Sequence, residues 1–200
     1  GLGPGLAADA LGLKRTMVAG LAITGVASLA GGFAASADAL LVLRAAEGLG
    51  FLLASMPAPG LIRRLVPPQR MSRMLGLWGA YMPFATALAL LVGPAWMAWT
   101  GWPGWWWLLG ALALGMAACL GRLLAADPTP ATLRFDVGRR MRLTLSARGP
   151  WLVALPFGVY SAQWLAVIGF LPSIYRDAGF DPRWTAAATA SVAAVNMIGN

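Results

Sequence analysis

A chain of 200 residues that is 59% apolar and only 11% charged, with a mean hydropathy of +0.70, lacks the polar surface to stand in water; soluble domains are about a quarter charged. With no histidine, the common zinc sites and imidazole-based catalysis are excluded, and the lone Cys119 leaves no disulfide framework. The net charge of +8 would suit nucleic acid, but its placement along the chain assigns it to alternate loops instead.

Long apolar runs, rather than alternation every second residue, predict helices, which satisfy their own backbone in lipid. A crossing needs roughly 20 apolar residues. Residues 2–8 read as the tail of one span, and 16–37 and 39–62 as two complete ones, the second interrupted only by Arg44 and Glu47. The uncharged run 74–121 is too long for one crossing and divides at Thr100-Gly101-Trp102-Pro103-Gly104, a turn signal. Residues 151–175 form the next span, and another begins at Trp184. The chain starts on Gly1 rather than methionine, without a signal peptide, and Asn200 falls inside an apolar stretch. It therefore reads as an internal piece of a longer protein.

The loops alternate in charge. Lys14 and Arg15 occupy one, then Arg63, Arg64, Arg70 and Arg73, then Arg122, Arg134, Arg139, Arg140, Arg142 and Arg148. The loops between them hold Asp38 alone, no charge around Gly101, and Arg176 and Arg183 offset by Asp177 and Asp181. Basic loops stay in the cytoplasm, so those near Lys14, Arg63–Arg73 and 125–150 are expected inside the cell. Twelve of fifteen cations then fall on one side, with no need for a nucleic-acid partner. Trp96, Trp99, Trp102, Trp105, Trp106 and Trp107 crowd the outer turn and Trp184 the next outer boundary, as expected of an interfacial belt; a stacking platform is the alternative. The stretch 125–150 is long, basic and proline-bounded, a connection between two helical bundles that suits an anionic inner leaflet. Residues 133–145 fit both strand and helix periods.

Three motifs carry chemistry. Gly5, Asp9 and Gly12, followed by Lys14 and Arg15, lie on the first basic loop: glycines for close approach and a tight turn, an aspartate for a helix N-terminus or a cation. Arg44-Ala45-Ala46-Glu47-Gly48-Leu49-Gly50 places two charges three apart on one helix face inside a span, where each costs about 2.5–3.5 kcal/mol at a central position. Val92-Gly93-Pro94 interrupts the following span.

In this order and spacing the three resemble the loop signature, the fourth-helix motif and the fifth-helix motif of the major facilitator superfamily. Ala10 and Leu13 stand where the family usually has basic residues, and Ala89, Met97 and Ala98 where the fifth-helix motif has glycines. The segment Gly76-Leu77-Trp78-Gly79-Ala80-Tyr81-Met82-Pro83 is similar to bacterial cyanate and nitroimidazole-type carriers. The resemblance implies an all-α polytopic transmembrane bundle, part of a 6+6 helix fold, running from the end of helix two to the start of helix eight. Residues 1–124 would belong to the first bundle, 125–150 to the connection and 151–200 to the second. It also implies that the fourth and seventh helices line a central path, making Arg44, Glu47, Tyr160, Gln163 and Trp164 pathway candidates, with Asn196 from the eighth. Glu47, the single acid in a complete span, points to protons as coupling ion, and Arg44 to a small anion as cargo. The expectation is a secondary transporter of a small solute in the inner or plasma membrane, without metal or cofactor and not an enzyme. A drug or amine efflux carrier of the same superfamily, or a polytopic membrane protein that transports nothing, are the alternatives.

Overall fold

The computed structural model describes residues 5, 8, 10–127 and 137–198, the last with backbone only at 137, 140, 182, 183, 197 and 198. Asp9, Pro128, Pro130, Arg134 and Asp136 lie outside the described residues. Among the described residues eight α-helices are delimited, in order: α1 (Leu13–Gly31), α2 (Ala37–Ser55), α3 (Ala58–Leu65), α4 (Met71–Gly79), α5 (Tyr81–Leu123), α6 (Val137–Ser146), α7 (Arg148–Asp177) and α8 (Pro182–Ile198). A single 3-10 turn, Pro68–Arg70, precedes α4, and no strand occurs among the described residues. The all-α expectation holds.

Helix ends follow from the sequence. Ser36 caps α2, its hydroxyl accepting from the Ala39 N–H at 3.2 Å, with Asp38 in the favoured first turn. The span expected over 39–62 is interrupted: α2 stops at Ser55 and α3 starts at Ala58. Pro57 has no N–H to continue the ladder, and Pro59 suits the first turn of a new helix. Pro83 likewise lies just after the break at Ala80 between α4 and α5. Its ring would clash with the Gly79 carbonyl in a continuous helix.

At 43 residues a straight α5 would run about 65 Å, twice the roughly 30 Å of hydrocarbon. It does not run straight, because Gly101 leaves the helical region at φ 74, ψ 174. The break expected at Gly101 is therefore present inside 81–123. With α1, α2–α3 and α7, the described residues hold four apolar stretches long enough to cross a membrane, one of them the continuous 68–123. Over the described residues 137–145 of the stretch 133–145 the helical period wins, giving α6, and α7 begins at Arg148 rather than Trp151.

The chain forms two compact units: residues 1–75 with 96–135, and residues 76–95 with 136–200. In the first, small residues let backbones touch, as helices in lipid require. A Cβ on Gly20 would sit 2.6 Å from the Gly50 carbonyl oxygen, so α1 and α2 meet backbone to backbone. One on Gly25 would sit 2.9 Å from the Gly110 carbonyl, which brings the second half of α5 onto α1. In the second unit, α8 turns Thr185, Thr189, Ala190 and Ala193 inward. Elsewhere large apolar side chains face outward, Val153 and Val159 on α7 being 74% and 70% exposed, a surface for lipid rather than water.

This packing separates the two glycines of the Arg44–Gly50 motif. A Cβ at Gly48 would meet nothing within 4 Å, while one at Gly50 would lie 2.7 Å from the Gly20 carbonyl and 2.8 Å from the Thr24 nitrogen. Gly50→Ala is expected to cost about 1–3 kcal/mol by overpacking, and Gly48→Ala almost nothing. Thermal unfolding of the two variants in detergent checks the contrast; equal losses would contradict it.

Candidate functional site

In the first unit, α2 carries Arg44 and Glu47 on one face, and they form an ion pair. Glu47 is 14% exposed and Arg44 44%. The Arg44 guanidinium also lies over the Trp106 ring, 4.8 Å from its centroid, in a cation–π arrangement. Trp106 belongs to the second half of α5, whose backbone is tied to α1 by the Ser28 hydroxyl donating to the Trp106 carbonyl at 3.1 Å. Trp102 packs edge-on against Trp106, with centroids 5.4 Å apart. Three helices thus fix one charged pair against one indole. Trp106 Nε1 is buried and completes no hydrogen bond among the described residues. The site can hold a proton or offer the Arg44 N–H groups to an anion, at the expense of the pair.

The aromatic crowd around Gly101 accordingly divides. Trp99, 80% exposed, has the character of the interfacial belt. Trp106 is half-buried and stacks on a cation, and Trp107 packs on Phe33 with centroids 5.0 Å apart. Sequence reasoning weighed Trp106 as a belt residue; only its contact with Arg44 gives it a place in the site.

At the other end of α1, the loop signature is assembled around a residue that sequence reasoning passed over. Gly12 adopts φ 100, the left-handed turn expected of it, and has no side chain to cap α1. The cap comes from Asp127, beyond the end of α5: its carboxylate accepts from the backbone N–H groups of Lys14 at 3.1 Å and Arg15 at 3.0 Å. Arg64, at the end of α3, reaches the same carboxylate at 3.3 Å, and the Lys14 ammonium donates to the Leu124 carbonyl. Asp127 is 4% exposed. Burial pushes its carboxyl up, but the Arg15 and Lys14 N–H groups and the charges of Arg64 and Arg15 outweigh this and hold it below its ordinary value. The helix-terminal role expected of Asp9 is thus filled by Asp127 among the described residues. A Cβ at Gly5 would meet nothing within 4 Å, so the close approach expected there is not made among them.

In the second unit, the Tyr160 hydroxyl donates to Asn196 Oδ1 at 3.1 Å and accepts from Nδ2 at 3.0 Å, joining α7 to α8. Gln163 is exposed and Trp164 half-buried. Of the remaining candidates, Gly93 is buried and Pro94 exposed in a helix that continues through both.

The apolar helices define a multi-pass membrane protein, and comparison with known proteins carries this one step further. The family model of the Major Facilitator Superfamily matches residues 2–200, and the chain belongs to that superfamily of membrane transporters. It is 32% identical over 85 residues to the tetracenomycin C resistance and export protein of Streptomyces glaucescens, an alignment covering 42% of this chain and 16% of that protein. The chain thus spans about a sixth of the length of this curated relative. No solved structure matches it.

Proposed function

We propose that this chain is part of a secondary active carrier in the inner or plasma membrane that moves a small solute by alternating access, as two bundles rock about a midplane site. Residues 1–124 belong to the first bundle, 151–200 to the second, and 125–150 join them on the cytoplasmic side, where the basic loops lie. The observation that carries the reading is the Arg44–Glu47 pair held against Trp106 by three helices. Charged groups within lipid are retained where they serve an ion or substrate path. Protonation of Glu47 would release Arg44 from its carboxylate while leaving it on the indole face, free to take up a small anion. Protons are then the coupling ion and the anion the cargo. No nucleic acid, metal or cofactor enters the cycle.

A second reading, efflux of drug-like amines, is favoured by the similarity to an export protein and by an Arg44 already engaged on two sides. The two separate in proteoliposomes of the full-length protein, with labelled small anions and amines offered with and without a pH gradient. Anion flux that follows the gradient and falls at least tenfold in Arg44→Ala is the expected result. Amine flux that survives the substitution would replace it with the efflux reading, and no flux of either would leave a polytopic membrane protein that is not a carrier.

A further inference from the structure

α6 is short and two-faced, and among the described residues little covers it. Positions 137, 141 and 145 recur every fourth residue and set Val137, Met141 and Leu145 along one stripe. Each residue turns the helix by about 100°, so positions 140 and 142, both arginine, fall on the two flanks of that stripe. On the stripe Leu145 is 46% exposed and Met141 half-buried, and on its flank Arg142 is exposed. A helix of this pattern in water would bury its stripe against the protein.

Two further observations say where α6 lies. Ala147 is extended, at φ −80 and ψ 137, so the chain turns there and α6 does not continue the axis of α7. In the first turn of α7 the Trp151 indole donates to the Leu145 carbonyl at 2.9 Å, one of the last-turn carbonyls that a helix leaves without a partner. Trp151 opens a membrane-crossing helix and is 49% exposed, the setting in which indoles take the headgroup level. The bond pins the end of α6 to that level.

We propose that α6 lies flat on the membrane at the foot of α7 and binds anionic phospholipid headgroups. The Met141–Leu145 stripe faces the acyl boundary, and Arg142 and Arg148 reach the phosphates. Flank positions suit this, because an arginine there extends sideways to the headgroups while its stem stays on apolar ground. Charge complementarity selects anionic over zwitterionic lipid.

The test places a fluorophore on Leu145→Cys in the full-length protein, in a Cys119→Ser background, and on Val159→Cys of α7 as a reference. Both go into nanodiscs containing brominated phosphatidylglycerol or brominated phosphatidylcholine as quencher. Nanodiscs expose both membrane faces, so the outcome does not depend on sidedness. At position 145 the glycerol lipid is expected to quench preferentially. That preference should fall roughly fivefold for each arginine removed by Arg142→Gln and Arg148→Gln, and should weaken in high salt. At 159 both lipids should quench alike, which also certifies that each variant is inserted and folded. Equal quenching by the two lipids at 145 would overturn the proposal. So would water-like emission at 145 alongside normal quenching at 159, which would mean that α6 stands off the membrane.

Discussion

Asp127→Ala is expected to cost about 2–4 kcal/mol of stability, more than any substitution of the arginines around it. α1 starts at a glycine that offers no cap, so without Asp127 the N–H groups of Lys14 and Arg15 would lose their acceptors. Each hydrogen bond to a charged group is worth about 1.5–3 kcal/mol, and the carboxylate also faces the positive end of the helix. Arg64 is 48% exposed, so its ion pair adds less than about 1 kcal/mol and Arg64→Ala should be mild. Asp127→Asn keeps one acceptor without the charge and should fall between the two. Gly12→Ala attacks the same contact from the other side, since a Cβ would run into the Asp127 side chain at a backbone angle that only glycine accepts freely.

The pH dependence has a definite sign. The carboxyl of Asp127 is held below its ordinary value in the fold, so its contribution is complete above the unfolded value of about 3.9 and is lost as pH falls through the lower folded value. Unfolding midpoints of wild type and Asp127→Asn in detergent should therefore differ at neutral pH and converge as pH falls below ~4 through the lower folded value. A gap that persists unchanged in acid would show that Asp127 acts by shape and not by charge.

What could be seen beforehand divides along sequence separation. Spans, the break at Gly101, the turn at Gly12 and the pairing of Arg44 with Glu47 all depend on neighbours within a few residues, where composition and helix geometry decide. The interruption at Pro57 was equally local, but the uninterrupted apolar run masked it. α6 was ambiguous because ten residues are too few for the strand and helix periods to separate. The Asp127 cap is another matter, since Asp127 and Lys14 lie 113 residues apart and nothing local joins them. The available signal was indirect: a helix start without a capping side chain, and a lone acid directly after a span. Trp106 was missed for the same reason, and because six tryptophans clustered at one turn make any one of them read as belt.

Arg44→Leu alone is expected to destabilise the carrier by about 3 kcal/mol, leaving Glu47 charged and unpaired in an apolar setting. Glu47→Leu alone should cost less, because Arg44 keeps the face of Trp106. Replacing both removes the cost of burying charge along with the pair, and replacing buried pairs by apolar side chains of similar volume is often neutral or stabilising. Stability of the double variant should therefore return to within about 1 kcal/mol of wild type, read by thermal unfolding in detergent. Transport then decides between the two roles of the pair without interference from folding. If the pair only locks α2 against α5, the double variant carries solute at the wild-type rate. If Glu47 holds the coupling proton and Arg44 the anion, the double variant is stable, folded and silent, with or without a pH gradient. The second outcome is the one expected. A lock could be built from leucine at no cost of burying charge, whereas a proton and an anion can be handled only by groups that change or carry charge.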